Sequence, residues 1–236
     1  MRFQIFILLG LAFAYATGAY YTNTKPTDAS THAALHQPVL LNAKALDPHA
    51  GLTLTPAQAH GLRDGDILFN TSNSAQSKAI QYATKSKYSH CGIVFFENGK
   101  PFVYEAVQPV TKTPLSEWTS HHFVAKRLKN ADAVLTPDVL QKMKAEAKRF
   151  YGKNYDLYFN WSDDQLYCSE LVYKIYERGA GLKVGELKKL KDYDLSHALV
   201  QEQLKQRYGN DIPYNEAMIS PGAIFESDLL TTVAIE

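Results

Sequence analysis

The sequence predicts an α+β domain in which a small antiparallel sheet packs against helices. Three observations lead to this prediction: a β-rich hairpin around Asn98-Gly99, an amphipathic helix after Pro137 and a second amphipathic helix that begins near Cys168. The chain has 236 residues, of which 45% are hydrophobic and 21% are charged, as in a globular domain rather than a disordered chain or a coiled coil. A net charge of +1 gives no reason to expect a nucleic acid as partner.

The N-terminus has the pattern of an exported protein. Arg2 is followed by an almost wholly apolar run from Phe3 to Ala16 and by small residues up to Ala19. This pattern predicts a signal peptide, with an uncleaved membrane anchor as the alternative, and therefore a periplasmic or secreted location. Contact with a membrane is expected only through this segment, if it stays uncleaved. The predicted organisation is a signal peptide or anchor over residues 1–19, a linker or extension over 20–50 and the main domain over 51–236.

The elements of the main domain follow from turn signals and from hydrophobic periodicity. Strands are expected over residues 66–69, 89–96, 101–107 and 123–128, with a further short strand at 223–225. Helices are expected at 55–60, 77–84, from 137 to before 152, from about 168 to 179, and over 195–208. Thr136 is expected to cap one of these helices, and Asp163-Asp164 the next.

The hairpin brings a histidine and a glutamate together. With Asn98-Gly99 as a two-residue turn, Glu105 falls opposite Gly92 and lies on the same face as His90. Diagonal neighbours of this kind have Cα atoms about 7–8 Å apart, which long side chains can bridge. The pair is therefore a candidate for an imidazole held by a carboxylate, and the alternative is that both side chains face solvent at a sheet edge.

Cys168 is the candidate nucleophile, because it lies in the first turn of a predicted helix. The positive end of a helix lowers the pKa of a thiol, and its free N–H groups can bind an oxyanion. The alternatives are a buried structural cysteine and a disulfide with Cys91. Since side chains alternate along a strand, we expect Cys91 to face away from His90 and from Cys168, which would make the disulfide and the catalytic pair mutually exclusive.

These residues resemble the permuted branch of the NlpC/P60 papain-like superfamily, specifically its YiiX-like group. The resemblance covers about residues 62–179, with a weaker match at 220–222, and its histidine strand precedes its cysteine helix. The matching segments are 65–69, 88–94, 103–106, 155–156 and 167–172. Cys91 departs from the pattern, because an aliphatic residue is expected there.

The resemblance implies a permuted papain-like fold and a triad of Cys168, His90 and Glu105. It also implies hydrolysis of an amide bond through a thioacyl intermediate, without metal or other cofactor. The expected substrate is a peptide or an acyl amide, with peptidoglycan peptides among the candidates.

Three alternatives stay open at this point. The first is an acyltransferase or thioesterase that acts on lipids, and the second is a non-catalytic exported binding domain with a Cys91–Cys168 disulfide. The third is a metal hydrolase, for which the sequence offers eight histidines, including His32, His36, His121 and His122, but no metal-binding motif.

Overall fold

The main domain is built on a six-stranded antiparallel sheet. The computed structural model describes residues 61–118 and 122–235. The strand order in the large sheet is β4-β3-β2-β1-β5-β8, and β6 pairs with β7 in a separate two-stranded ladder. The strands are β1 (Ile67–Asn70), β2 (His90–Glu97), β3 (Lys100–Ala106), β4 (Val110–Pro114), β5 (Val124–Leu128), β6 (Lys188–Lys189), β7 (Ala217–Met218) and β8 (Leu230–Ile235).

The helices of the described residues all lie between β1 and β8 in the chain. Their bounds are α1 (Ala75–Thr84), α2 (Leu115–Trp118), α3 (Ala131–Val134), α4 (Pro137–Phe150), α5 (Cys168–Ala180), α6 (Ala198–Tyr208) and α7 (Pro221–Phe225), with a 3₁₀ turn at Leu190–Asp192. The predicted cap at Thr136 is confirmed, since its side chain accepts a hydrogen bond from the Val139 N–H. The predicted helices over 77–84, 137–151, 168–179 and 195–208 correspond to α1, α4, α5 and α6 within a few residues.

The register of the hairpin is confirmed. Glu97 pairs with Lys100 and Phe96 with Pro101, as a two-residue turn requires. Asn98 and Gly99 both have positive φ, of 50° and 76°, which is the backbone of a type I′ turn. This register places Gly92 beside Glu105: a Cβ added to Gly92 would lie 3.3 Å from the Glu105 Cβ and 2.5 Å from Val103 Cγ1. Glycine is therefore required where the two strands approach.

The two faces of the sheet bury different clusters. Helices α4 and α5 cover one face, where Cys91, Ile93 and Phe95 of β2 pack with Leu171 and Ile175 of α5. The other face buries a smaller cluster that includes Val94, Val103 and Trp118. Because side chains alternate, Glu105 belongs to this second face, and His90 reaches the helix side only because it is the first residue of β2.

The segment around Ala223 was predicted wrongly as a strand. It forms helix α7, in which Ser220 accepts a hydrogen bond from the Ala223 N–H and Pro221 occupies the first turn. The Ser-Pro pair is a signal for the start of a helix, and it outweighs the short apolar run that led to the prediction of a strand.

Two strands of the sheet were not predicted at all. Strand β4 carries Thr111, Lys112 and Thr113, so it has no apolar alternation, and β8 is a partly exposed edge strand. Edge strands of this kind carry a weak hydrophobic signal because one side of each is not paired.

Several sequence-based predictions concern residues outside the described range. These are the signal peptide or anchor over 1–19, the linker over 20–50, the helix over 55–60 and the histidines His32, His36 and His121. Within the described residues, no helix has both the length and the apolar character needed to cross a membrane.

Candidate active site

His90 and Glu105 are in direct contact. The Nε2 atom of His90 lies 2.6 Å from the Oε2 atom of Glu105, so the predicted pairing exists in the structure. The Glu105 side chain is only 8% exposed, and the His90 side chain is 23% exposed. Because Nε2 is occupied by the carboxylate, Nδ1 is the ring nitrogen left to face another group. The carboxylate therefore fixes both the orientation and the tautomer of the imidazole.

Two further donors hold Glu105. The Thr113 hydroxyl donates to Oε1 at 2.5 Å and the Trp118 indole N–H donates to Oε2 at 3.0 Å. Burial by itself would raise the pKa of Glu105, but the hydrogen bonds from His90, Thr113 and Trp118 outweigh it and lower the pKa. The Trp118 ring also stacks on His90, with ring centroids 6.1 Å apart. Glu105 is thus held as an anion beneath His90.

Cys168 is the first residue of α5, and its sulfur faces His90. The sulfur accepts hydrogen bonds from the Cys91 thiol and from His90, and together these lower the pKa of Cys168 well below its usual value, against the effect of burial. For His90, burial favours the neutral ring, but the hydrogen bonds to Cys168 and Glu105 prevail and raise its pKa to about 10. These two shifts favour the thiolate of Cys168 and the imidazolium of His90 in the resting pair.

The expected position of Cys91 is wrong. Cys91 does face away from His90 along β2, but the face it occupies is the one that α5 covers, so it packs directly against Cys168. The prediction assumed that His90 lies on the sheet face that α5 covers. His90 instead begins β2 on the opposite face, and its imidazole reaches Cys168 around the end of the strand. Both cysteines are free thiols in this structure, and both are buried.

The start of α5 is fixed by a buried network. The Glu170 carboxylate accepts a hydrogen bond from the Tyr167 N–H at 3.4 Å, and Lys174 Nζ lies 2.6 Å from Glu170. Lys174 also binds Asp163, which in addition pairs with Arg178. The prediction that Asp163-Asp164 caps this helix is therefore wrong. The helix begins at Cys168, and Asp163 forms ion pairs with Lys174 and Arg178, which lie farther along it.

Tyr155 is a residue of the site to which the sequence analysis assigned no role. Its phenol oxygen accepts a hydrogen bond from Gln76 Nε2 at 3.0 Å, and its pKa is raised by burial and by the nearby Cys168. A bridge between Tyr155 and Leu166 places it beside the segment that leads into α5. The Tyr155-Asp156 pair was part of the family resemblance, and that was the only sequence signal for it.

Two cavities border these residues, and Ile80 lines both of them. The first is open to solvent on one side and reaches Cys168 between α1 and α6 with almost entirely apolar walls. Ile80, Val200, Leu204 and Met218 are among its lining residues. The second cavity has walls of mixed polarity and lies on the His90 side, where Asn70, Ser72, Asn73, Gln76 and Tyr155 are among its lining residues.

A comparison with known families agrees with this arrangement. Residues 61–234 match the model of a family described as permuted papain-like amidase enzymes, YaeF/YiiX, C92 family. The chain belongs to this family. The predicted fold class and the resemblance to the YiiX-like group are thereby confirmed. The chain is accordingly a member of a group of papain-like cysteine amidases.

Two relatives from Escherichia coli are similar over most of their length. The chain is 48% identical over 189 residues to the uncharacterized protein YiiX of strain K12, which covers 78% of this chain and 92% of that protein. A crystal structure from strain O157:H7, described as metalloprotein yiiX, superposes with a TM-score of 0.70 at 49% identity and covers 74% of this chain and 97% of that one.

Substitution of Glu105 tests its effect on the thiolate. In Glu105→Gln the imidazolium loses its buried counter-ion, so we expect the pKa of His90 to fall, the pKa of Cys168 to rise, and the alkylation of Cys168 by iodoacetamide to reach its full rate only at a higher pH than in the wild type. Thr113→Val, which removes one neutral donor to the same carboxylate, is the matched control and should shift this pH profile less. Identical pH profiles in wild type and Glu105→Gln would contradict this role.

Proposed function

We propose that the protein is a cysteine amidase in which Cys168 attacks the carbonyl carbon of an amide and forms a thioacyl intermediate. The observation that supports this most directly is the continuous chain of contacts from Cys168 through His90 to Glu105 at the N-terminus of a helix. A thiolate next to an imidazolium is the activated form of a cysteine nucleophile. Export to the periplasm or beyond is part of the same proposal, on the pattern of residues 1–19.

The proposed proton transfers use the contacts between Cys168, His90 and Glu105. Cys168 attacks as the thiolate, and the imidazolium of His90 gives its proton to the leaving nitrogen, which departs as an amine. Neutral His90 then takes a proton from water, which attacks the thioacyl carbon; the C–S bond breaks, the carboxylic acid leaves, and Cys168 is released as the thiolate beside the imidazolium, which restores the resting pair. Glu105 keeps its negative charge throughout and stabilises the imidazolium, which is present at rest and forms again once in each turnover, when His90 takes the proton from water.

The oxyanion has two candidate donors. The backbone N–H of Cys168 lies in the first turn of α5, where helix N–H groups have no partner within the helix. The phenol of Tyr155 accepts from Gln76 and still carries its own O–H, which is available to donate. We assign these two groups to the oxyanion that develops during attack on the carbonyl.

The two cavities suggest which part of the substrate lies on each side. The acyl chain extends from the carbonyl carbon on the side of Cys168 that opens into the apolar cavity. The amine departs toward His90, where hydroxyl and amide side chains are among the lining of the second cavity. This arrangement favours an apolar acyl group on a polar amine. It is less suited to peptidoglycan peptides, whose side chains are small or charged, and it keeps a lipid-directed acyl hydrolase or transferase as the second candidate.

A metal does not enter this proposal. The relative described as a metalloprotein raises the question, but residues 61–118 and 122–235 contain no group of three or more His, Cys, Asp or Glu side chains placed to hold an ion. The described residues thus do not fit a metal site, and no step is assigned to one.

A panel of N-acyl amides tests the substrate class. We expect hydrolysis of an N-acyl amino sugar or N-acyl amino acid by the purified protein, with kcat/KM at least tenfold higher for octanoyl than for acetyl, since each buried methylene contributes about 0.8 kcal/mol. Leu204→Trp should fill the cavity and abolish this preference, whereas Gln201→Trp, on the exposed face of the same helix, should retain it.

The outcomes separate the candidates. Activity that is lost in Cys168→Ala and that favours long acyl amides supports the proposal. Activity on cell-wall peptides without any chain-length preference would reassign the substrate, and transfer to an added alcohol or amine instead of water would favour the acyltransferase. If no amide or ester is hydrolysed and Cys168 is unreactive, the proposal that the protein acts as a cysteine amidase is contradicted.

A further inference from the structure

Cys91 is a second thiol in the site that hydrolysis does not use. Its side chain is wholly buried, and it hydrogen-bonds to the Cys168 sulfur. The backbone N–H of Cys91 makes a further contact with the same sulfur. A buried cysteine in a core is usually inert, and an aliphatic side chain would fill this position equally well. Its placement against the nucleophile therefore suggests a chemical role.

The two thiols differ in access and in reactivity. Cys168 lines the apolar cavity, whereas Cys91 lines neither of the two cavities that border the site. A small oxidant that enters from solvent thus meets Cys168 first. Cys168 is also the sulfur held as thiolate, which is the form that peroxides oxidise. Burial, together with the hydrogen bond to Cys168, raises the pKa of Cys91 well above its usual value and keeps it protonated in the reduced protein.

We propose that Cys91 is a resolving thiol and that the Cys91–Cys168 pair is a site of reversible oxidation by hydroperoxides. In the first step the Cys168 thiolate attacks the peroxide oxygen, the O–O bond breaks, and Cys168 becomes a sulfenic acid; the departing oxygen takes the proton of the His90 imidazolium and leaves as an alcohol or as water. In the second step the Cys91 sulfur attacks the Cys168 sulfur and an S–S bond forms. The hydroxyl of the sulfenic acid leaves with the Cys91 proton as water.

The first step prepares the second. Oxidation turns the negative thiolate into a neutral sulfenic acid, which removes the nearby charge that disfavours ionisation of Cys91. The sulfurs then have to close from hydrogen-bonding contact to about 2.05 Å, which needs side-chain rotation and a small shift of the first turn of α5. The disulfide would inactivate the enzyme and at the same time protect its nucleophile from irreversible oxidation to sulfinic acid.

Peptide mass spectrometry of the full chain treated with hydrogen peroxide tests the proposal without any substrate. In the wild type we expect a disulfide-linked peptide pair containing Cys91 and Cys168, and full recovery of both thiols with dithiothreitol. In Cys91→Ser we expect a dimedone-reactive sulfenic acid at Cys168, followed by sulfinic acid that dithiothreitol does not reverse. Irreversible oxidation should be about tenfold faster in this variant than in the wild type. Cys91→Ala provides a second variant in case the serine hydroxyl destabilises the core.

The result that would overturn the proposal is wild-type Cys168 passing to sulfinic acid as fast as in both Cys91 variants, with no disulfide-linked peptide. The proposal rests on Cys168 as the activated nucleophile, and the two can fail separately. If iodoacetamide modifies Cys168 of the reduced protein slowly at pH 6, the proposed function fails. If modification is fast but no disulfide forms with peroxide, only the resolving role of Cys91 fails.

Discussion

His90→Ala is expected to slow the alkylation of Cys168 by iodoacetamide at pH 6 by about two orders of magnitude. In the wild type, His90 and Cys91 hold Cys168 as a thiolate, with its pKa far below the ordinary value. Without the imidazolium, burial in the core acts against the charge, and even a thiol of ordinary pKa near 8.5 is less than about 1% ionised at pH 6. The rate of alkylation follows this fraction.

The pH profile distinguishes this effect from a loss of packing. Because the pKa of Cys168 is lowered and that of His90 is raised to about 10, the wild-type rate should stay nearly constant from pH 5 to pH 9. In His90→Ala the rate should instead rise about tenfold for each pH unit up to the new thiol pKa. Mapping by mass spectrometry assigns the modification to Cys168 or Cys91. His122→Ala, at an exposed position, is the control. A flat profile in His90→Ala would rule out His90 as the base.

The sequence allowed the hairpin half of the site to be predicted, because its geometry depends on local rules. The turn at Asn98-Gly99 sets the register, the register sets the faces, and the faces bring His90 to Glu105. Helix α5 and the place of Cys168 in its first turn could also be predicted, from the apolar periodicity that follows it, although the capping residues were not. None of these steps requires knowledge of how distant segments pack.

The remaining parts of the site depend on packing between distant segments. Thr113 and Trp118 reach Glu105 from an edge strand and a one-turn helix without a clear hydrophobic pattern. Tyr155 and Gln76 meet across 79 positions of the chain. The placement of Cys91 failed for a related reason: alternation gives the two faces of a strand, but not which face a helix covers. A side chain at the end of a strand, such as His90, can also reach around the sheet.

Lys174→Met is expected to lower the free energy of unfolding by about 3–5 kcal/mol, the usual cost of removing one partner of a buried ion pair. The Lys174 side chain is 2% exposed, and it binds Glu170 at 2.6 Å and Asp163 at 3.0 Å. Methionine is of similar length, so the variant leaves the carboxylate of Glu170 buried without its cation. Urea denaturation should show a lower midpoint with an unchanged m-value. Lys183→Met, which removes an exposed lysine 3.9 Å from Glu177, should change the midpoint by little.

The same network gives the stability a pH dependence with a definite sign. Burial raises the pKa of Glu170 to about 7, although Lys174 partly opposes the shift. Between pH 4.5, the ordinary pKa of a glutamate, and about pH 7, the folded protein therefore binds more protons than the unfolded chain, and the contribution of this carboxyl to stability falls as the pH rises.

Glu170→Gln should remove that slope, and combined with Lys174→Met it should recover part of the stability lost. If the double variant were no more stable than Lys174→Met alone, the loss would come from packing and not from an unpaired charge. Because Glu170 closes the turn on which Cys168 lies, the iodoacetamide rate of each variant also reports whether this buried pair positions the nucleophile.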